Sequence, residues 1–280
     1  MVDAILKSVA EKLSFLPYIE GIVLGGSRAR GTHAEDSDID IGIYYNAELF
    51  DLGAVNRLAA ELDDEHRSNL VVPPGAWGDW VNGGGWLNIN GYHVDLILRD
   101  IKRVEHIMKD SERGIVTANY QTGHPHGYIS AMYRGELAIG KILYAKDERF
   151  LALKKRAELY PVALRKSLID FFMFEAEFSL SFIKANITAD DKYYIAGHVF
   201  RAVSSMNQVL FACNNVYCIN EKKAVVMIEA FKRKPENYAR KVNRIFELLG
   251  PSPVACRDMV EKLYHDVKQI VSEISLETEE

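Results

Sequence analysis

The sequence lacks a long apolar run. No window approaches the roughly 20 consecutive apolar residues that a membrane-spanning helix needs. The opening residues, MVDAILKSVAEKLSFL, mix apolar and charged side chains at amphipathic helical spacing, whereas a signal peptide has an unbroken apolar core. We therefore expect a cytoplasmic protein with no membrane partner.

Cysteine and positive charge are also scarce. The chain has three cysteines, Cys213, Cys218 and Cys256, an odd number that matches no common zinc spacing, so we expect reduced thiols. Its 39 acidic residues outnumber its 34 basic residues, for a formal net charge of −5. A global positive field that would attract a long nucleic acid is therefore absent, although a local basic groove stays possible.

Two kinds of periodicity divide the 280 residues. Before about residue 101, the stretches GIVLGGS, SDIDIGIYY and YHVDLILRD are typical of strands, and helical patterns lie around them. After it the spacing is helical, interrupted by the loop QTGHPHGY. The predicted helices are 102–110, 130–141, 148–159, 161–186, 191–213, 222–233, 236–249 and 253–275. The pattern predicts an α+β fold, with a mixed sheet and flanking helices in domain 1–145 and a helical bundle in domain 146–280.

Two aspartates lie two residues apart in the stretch SDIDIGIYY, whose alternation predicts a strand. Asp38 and Asp40 therefore project from one face, where their charges repel unless a proton or a cation lies between them. Carboxylate oxygens are typical ligands of Mg²⁺, which completes its shell with water and substrate phosphates. Asp95, in the strand YHVDLILRD, is placed to supply a third carboxylate and make room for two Mg²⁺ ions.

A glycine turn precedes these aspartates. Gly25 and Gly26 let the backbone approach an anion closely, and the turn exposes N–H groups and the Ser27 hydroxyl toward phosphate oxygens. Arg28 and Arg30 add cationic donors beside them, which we expect to contact the same phosphates. The stretch GGSRARGTHAEDSDID thus combines a phosphate cradle with a metal cluster, and it predicts binding of a nucleoside triphosphate.

The stretch from Gly25 to Asp40 resembles the signature of the nucleotidyltransferase superfamily, a glycine turn followed by an Asp-x-Asp strand. The superfamily includes DNA polymerase β, kanamycin and lincosamide nucleotidyltransferases, and minimal nucleotidyltransferases of toxin–antitoxin pairs. The resemblance implies that Gly26 and Ser27 bind the triphosphate and that the two strand aspartates ligate metal. It also implies that Asp95 completes the cluster and helps to activate the acceptor hydroxyl.

The helical remainder is similar in layout to the C-terminal bundle of the antibiotic nucleotidyltransferases, which implies an acceptor-binding domain. We therefore expect an Mg²⁺-dependent enzyme, with an NTP such as ATP as co-substrate, that transfers a nucleoside monophosphate to a hydroxyl and releases pyrophosphate. The acidic balance favours a small-molecule acceptor, such as an aminoglycoside- or lincosamide-like compound. The sequence does not distinguish the preferred nucleotide or the oligomeric state.

Three alternatives stay open. The first is a protein nucleotidyltransferase of the toxin–antitoxin type. The second is a non-catalytic protein that senses nucleotides or binds a partner, whose mark would be a lost carboxylate, and all three are present here. The third is a polymerase that extends polynucleotides, for which the locally basic segment 222–244 is the supporting feature.

Several side chains outside the motif have two interpretations each. The three tryptophans, Trp77, Trp80 and Trp86, either stack on a base or sugar-like acceptor or anchor their glycine-rich loop. His93 either contacts substrate or is a hydrogen-bonded structural residue. Glu177, in the helix predicted at 161–186, is a candidate general base, and a solvated position is its alternative. We expect the phenylalanines of this helix to be core residues; they are Phe171, Phe172, Phe174, Phe178 and Phe182.

Overall fold

The computed structural model describes residues 1–187 and 191–277, and the chain forms two compact units. The first unit comprises residues 1–110 and 117–159, and the second comprises residues 111–116 and the described residues from 160 onward. The first unit therefore extends past the domain boundary expected near residue 145. The helix Glu148–Glu158 packs against the sheet of this unit, because the ring of Phe150 lies against Gly21 and Tyr44.

A five-stranded sheet is the centre of the first unit, with the strand order β3-β4-β2-β1-β7. Only β2 and β4 run parallel; the other neighbouring strands are antiparallel, and β5 and β6 form a separate pair. The strands are β1 (Ile19–Leu24), β2 (Ile39–Tyr45), β3 (Gly83–Ile89), β4 (Tyr92–Asp100), β5 (Ala118–Asn119), β6 (Tyr128–Ile129) and β7 (Lys141–Ala145). The helices are α1 (Val2–Ser14), α2 (Gly26–Arg30), α3 (Leu52–Leu62), α4 (Ile101–Glu112), α5 (Met132–Ile139) and α6 (Glu148–Glu158).

One face of the sheet forms the hydrophobic core with α1 and α3. The alternate residues Ile39, Ile41 and Ile43 of β2 are fully buried on this face, as are Val94 and Leu96 of β4. The apolar stripes of α1 and α3 complete the same cluster. Because side chains alternate across a strand, every second residue of β2 and β4 must then project from the opposite face.

The opposite face is covered at one end by α5 and α6. Tyr44 packs its ring edge against Phe150, with the ring centroids 5.2 Å apart. Arg99 of β4 forms a two-armed ion pair with Glu136 of α5, in which Nε and Nη2 donate over 2.7 and 2.8 Å. These contacts involve the C-terminal parts of β2 and β4, whereas the predicted site residues belong to their N-terminal parts.

Two expectations about strands and helices were wrong. The periodicity predicts no strand after residue 101, yet β5 pairs with β6, and β7 pairs with β1 at the edge of the sheet. The five residues of β7 are too few to establish a period and lie between two helices. The helix expected at 222–233 is only Ala224–Ile228, and it begins after Lys223, whose φ is +64°. A left-handed residue cannot continue a right-handed helix.

The described part of the second unit is helical. Its helices are α7 (Val162–Asn186), α8 (Lys192–Cys213), α9 (Ala224–Ile228), α10 (Tyr238–Leu248) and α11 (Pro253–Glu277). None of the three cysteines forms a disulfide within the described residues. No helix within residues 1–187 and 191–277 has the length and apolar character to cross a membrane. The acceptor-binding role of the helical domain stays a prediction.

The phenylalanines of α7 are not all core residues, contrary to expectation. Phe172 is buried, but Phe174 and Phe178 are 63% and 52% exposed, and Phe171 is also exposed. The helix instead buries a stripe at spacings of three and four residues, comprising Leu164, Leu168, Phe172, Ala176, Leu180 and Ile183. Since α7 also carries apolar residues outside this stripe, composition alone did not identify the buried face.

Candidate active site

The parallel pairing of β2 and β4 brings two of the predicted carboxylates together. Asp40 lies directly opposite Asp95 in the register, so both side chains project from the same sheet face. Asp38 precedes β2 and has the same parity as Asp40. Both strand aspartates are half-buried and Asp38 is exposed. The structure therefore groups all three at the N-terminal ends of two central strands, as the alternation predicts.

Asp95 is affected both by burial and by the charges of its two neighbours. Its partial burial, together with the negative charges of Asp40 and Asp38, raises its pKa from 3.8 to about 6, and His93 opposes the rise. No group of three or more His, Cys, Asp or Glu side chains among the described residues is arranged to hold a metal ion. The carboxylates are thus close enough to repel one another, without the geometry of a closed coordination shell.

The glycine turn approaches the carboxylates through its backbone. Gly25 N donates to Asp40 O over 2.8 Å, which ties the end of β1 to β2. Gly26 begins α2 with a φ of +58°, and a Cβ at this position would overlap the Asp40 carboxylate, 2.6 Å from its Cγ. Only glycine fits here, because both the conformation and the space exclude a side chain. Ser27 follows in the first turn of α2.

Arg28 is buried and engages the loop that leads to the aspartates. Its Nε donates to Ser37 O and Asp38 O over 3.1 and 3.2 Å, and its Nη2 donates to Glu35 O and Ser37 O over 3.1 and 2.6 Å. This fixes the backbone immediately before β2. Sequence reasoning missed this role; a direct contact of Arg28 with phosphate stays a prediction, as does that of Arg30 at the end of α2.

A cleft of about 530 Å³ is lined by two segments that precede the carboxylates in the sequence. They are the loop residues 35–37, before Asp38, and residues 91–93 at the start of β4, before Asp95. His93 is exposed, and its Nδ1 lies 2.8 Å from Asn88 Oδ1. His93 therefore has a hydrogen-bonded ring and a position beside a cleft, and its contact with substrate stays a prediction.

The tryptophans differ in their surroundings. Trp80 is an anchor, since it stacks on Tyr128 and carries the guanidinium of Arg103 4.3 Å above its ring centroid. Trp86 is 63% exposed and stacks on Trp77, with ring centroids 4.8 Å apart and planes inclined by 24°.

A sequence signal could have identified Trp86. Asn90 and Gly91 have φ values of 51° and 78°, as a two-residue type I′ turn requires. Such a turn fixes the hairpin register and places Trp86 opposite Asp95. The indole and the carboxylate therefore share one face of the sheet.

Glu177, the candidate base from the helical domain, lies in the second unit. It is exposed on α7 and hydrogen-bonds with Tyr264, whose pKa is raised to about 12 chiefly by burial. Glu177 is thus a surface residue with a hydrogen bond inside the second unit. Its role as a base stays a prediction.

Comparison with known proteins identifies the N-terminal part of the chain. No curated protein matches the sequence. A solved structure of a nucleotidyltransferase-like protein from Exiguobacterium sibiricum 255-15 aligns with a TM-score of 0.46 and 10% identity, over 98% of this chain and 75% of that chain. Residues 4–117 match the family model described as the nucleotidyltransferase domain, and this range contains the glycine turn and all three aspartates. The similarity to a nucleotidyltransferase domain therefore covers residues 4–117.

Proposed function

We propose that this protein is a metal-dependent nucleotidyltransferase that transfers a nucleoside monophosphate from an NTP to a hydroxyl group of a small molecule. The observation that carries the proposal is the register of Asp40 beside Asp95, with Gly26 against the Asp40 carboxylate. The arrangement lies within the matched nucleotidyltransferase domain. It joins a phosphate-binding turn to a group of carboxylates on one sheet face.

The carboxylates have the donor chemistry that Mg²⁺ requires. Asp38, Asp40 and Asp95 would hold the metal, because they are hard oxygen ligands. Burial and the charges of Asp40 and Asp38 raise the pKa of Asp95, and a cation would relieve the repulsion among the three carboxylates. Bound Mg²⁺, which we propose as two ions, supplies positive charge to the phosphate oxygens. The loop held by Arg28 keeps the backbone of Asp38 next to Asp40.

The glycine turn would bind the triphosphate. Gly25 and Gly26 bring the turn close to the Asp40 backbone and carboxylate, where phosphate oxygens would meet the metal, and Ser27 adds a hydroxyl donor. Arg30 is retained as a phosphate contact. Arg28 donates hydrogen bonds to the neighbouring loop. Because it follows Ser27 in the sequence, we also retain it as a phosphate contact. These residues orient the leaving pyrophosphate on the β1 side of the carboxylates.

The reaction is an in-line displacement at the α-phosphorus. The acceptor oxygen forms a new P–O bond as the bond to the β-phosphate oxygen breaks, and pyrophosphate leaves with that electron pair. The hydroxyl proton passes to a base at the Asp95 side or to water. Asp95 orients the hydroxyl, since it lies farther from the glycine turn than Asp40 in the strand order.

A small acceptor is favoured by charge and by the cleft. The formal net charge of −5 gives no general attraction for a polyanion. The acidic residues Glu35 and Asp36 line the cleft of about 530 Å³, a volume in the range of small-molecule sites. Both features suit a neutral or cationic small molecule better than a nucleic acid.

Calorimetric titration with ATP, GTP, CTP and UTP tests the proposal. We expect binding that requires Mg²⁺ in the wild type and is lost in the Asp38→Ala/Asp40→Ala double variant. Asp3→Ala, which removes an exposed carboxylate on α1 at the other sheet face, is the matched control and should bind as the wild type does. Failure of the folded wild type to bind any nucleotide, or equal binding by the double variant, would contradict the proposal.

A further inference from the structure

Trp86 is a large apolar side chain left open beside the carboxylates. Its strand β3 pairs with β4 so that Trp86 lies directly opposite Asp95, which in turn lies opposite Asp40. The three side chains therefore form a row across one sheet face, at the strand spacing of about 5 Å. The indole is 63% exposed although it lies in the middle of a regular strand.

The indole is held in place by its neighbours. Trp77 stacks against it, and a Cβ on Gly84 would lie 2.5 Å from the Trp77 ring, so the absence of a side chain at Gly84 admits this ring. The backbone around Trp77 is fixed by Gln121, whose Nε2 donates to Trp77 O over 2.6 Å and whose Oε1 accepts from Val81 N.

The two tryptophans thus form a supported stacking surface, which we term the Trp77–Trp86 platform.

The direction of the reaction determines which substrate meets this platform. In an in-line displacement the attacking and leaving oxygens lie on opposite sides of the α-phosphorus. Under the proposed function, the leaving pyrophosphate lies at the glycine turn, which follows β1. The strand order from the turn is β1, β2, β4 and β3, so the attacking hydroxyl belongs on the β4 and β3 side. The platform is on that side.

We propose that the Trp77–Trp86 platform binds the ring of the acceptor, so that the enzyme prefers hydroxyl compounds with an apolar or aromatic ring face. This inference rests on the proposed nucleotidyl transfer and specifies its acceptor site. Trp86 provides the face on which the ring stacks, and Asp95, one strand away, orients the hydroxyl that the ring carries. Stacking on an aromatic side chain contributes about 1–3 kcal/mol in nucleic-acid complexes, or about 5- to 150-fold in affinity.

Nucleotide affinity shows whether the Trp77–Trp86 platform binds the acceptor ring or the nucleobase. Calorimetry with Mg²⁺ and a non-hydrolysable α,β-methylene analogue of the preferred NTP is carried out on wild type, Trp86→Ala and Trp86→Phe. Phe15→Ala, an exposed aromatic residue after α1, is the matched control. We expect all four proteins to bind within about twofold of one another. A loss of fivefold or more on Trp86→Ala alone would assign the platform to the nucleobase and overturn the inference.

Acceptor selectivity tests the inference directly. Pyrophosphate release is measured with a panel of ring-bearing hydroxyl compounds, comprising amino sugars, aryl glycosides and nucleosides, and with open-chain polyols as their matched set. We expect ring compounds to raise the rate in the wild type, Trp86→Ala to raise their KM by about 5- to 150-fold, and Trp86→Phe to retain most of the affinity. A panel in which no ring compound distinguishes wild type from Trp86→Ala overturns the inference.

The two experiments also distinguish this inference from the proposed function. Absence of Mg²⁺-dependent nucleotide binding in the wild type contradicts the nucleotidyltransferase itself, and the inference falls with it. Nucleotide binding that the Asp38→Ala/Asp40→Ala variant loses, combined with acceptor rates that ignore Trp86, leaves the enzyme intact and removes only the platform. Far-ultraviolet circular dichroism of each variant establishes that it is folded.

Discussion

The two faces of the five-stranded sheet are built from the same strands and behave as opposites. On one face Ile41 of β2 and Leu96 of β4 lie side by side, fully buried under α1 and α3. On the other face, one residue away along each strand, Asp40 and Asp95 lie side by side and only partly buried. The first pair gains stability from contact and the second loses it through repulsion.

This difference teaches how the site is maintained. The apolar face fixes the register of β2 and β4, because a slip of one residue would turn every isoleucine and leucine to the other face. The same register brings the carboxylates together against their own repulsion. The hydrophobic face thus stabilises an electrostatic arrangement that would not assemble alone. The predictions for Leu96, Gly26 and Asp95 change one side of this relation, and Asp63 is a carboxylate outside it for comparison.

The largest expected effect is on the apolar face. Leu96→Ala removes a fully buried side chain from between Ile41 and Gly85, and we expect the free energy of unfolding to fall by about 3 kcal/mol because a cavity is left in the core. Urea unfolding measures the loss. Leu49→Ala, at a residue 62% exposed, is the control and should change stability by less than about 0.5 kcal/mol.

The folded fraction of Leu96→Ala should still bind Mg²⁺ and nucleotide with wild-type affinity, measured at a temperature where the variant is folded. Loss of nucleotide affinity with little loss of stability would contradict the division between the two faces.

The next effect is at the turn that contacts the carboxylates. Gly26→Ala introduces a Cβ that would overlap the Asp40 carboxylate, so we expect Asp40 to be displaced and Mg²⁺-dependent nucleotide affinity to fall by about 10- to 100-fold, as on loss of a group that orients a metal ligand. Calorimetric titration measures the affinity.

Gly31→Ala is the matched control for this substitution. Gly31 also has a positive φ, +74°, but its Cβ would meet nothing within 4 Å. The backbone strain is therefore similar, about 1 kcal/mol, without displacement of a carboxylate. Nucleotide affinities of the two variants that fall equally would show that strain, and not Asp40, is responsible.

A smaller effect is expected at Asp63, a carboxylate that accepts several hydrogen bonds. Asp63 accepts hydrogen bonds from Arg67 Nε and Nη2 over 2.9 and 2.6 Å and from Asn88 N over 2.9 Å. These bonds, those of Arg67 first, hold the pKa of Asp63 well below its ordinary value of 3.8. Asp63→Asn should therefore lower the free energy of unfolding by about 2 kcal/mol at neutral pH.

The pH dependence supplies the check. A carboxyl whose folded pKa is depressed stabilises the protein above its unfolded pKa, and this contribution disappears as pH falls through the folded value. The difference between wild type and Asp63→Asn should thus shrink from about pH 4 downward, which urea unfolding at several pH values measures. A difference that persists undiminished in acid would refute the role of the ionised carboxylate.

The smallest effect has the opposite sign. Asp95 has a pKa raised from 3.8 to about 6, so its charge destabilises the folded protein increasingly as pH rises from about 4 and fully above about 6. Asp95→Asn should therefore stabilise the metal-free protein at neutral pH, by about 1 kcal/mol after allowance for solvent screening. Excess Mg²⁺ should narrow the difference, and a metal-free Asp95→Asn less stable than wild type would refute the repulsion.

Much of this arrangement could be read from the sequence, because period-2 alternation predicts both the strands and their faces. The alternation of SDIDIGIYY and YHVDLILRD predicted the common face of Asp40 and Asp95. The contact between Gly26 and Asp40 could not be obtained this way, since it depends on how α2 leaves β1. Nor could the Arg28 bonds, because a buried guanidinium that binds carbonyls has the same sequence pattern as one that binds phosphate.

Edge strands and surface helices were harder to predict. The strand β7 pairs with one neighbour only, and its five residues carry too little alternation to outweigh the helical segments on both sides. On α7, Phe174 and Phe178 are as apolar as Phe172, and the choice of buried stripe depends on which helices pack against it. In both cases the deciding contacts are tertiary.

The Asn90–Gly91 turn sets the register of β3 and β4 at the site. Two residues in a left-handed conformation close the hairpin at one defined length, and that length sets which residue of β3 lies opposite Asp95. Because β3 is the terminal strand in the sheet order, a different side chain at position 86 would alter this wall without moving β2 or β4. The fold thus separates position 86, which is open to substitution, from the paired strands that hold Asp40 and Asp95.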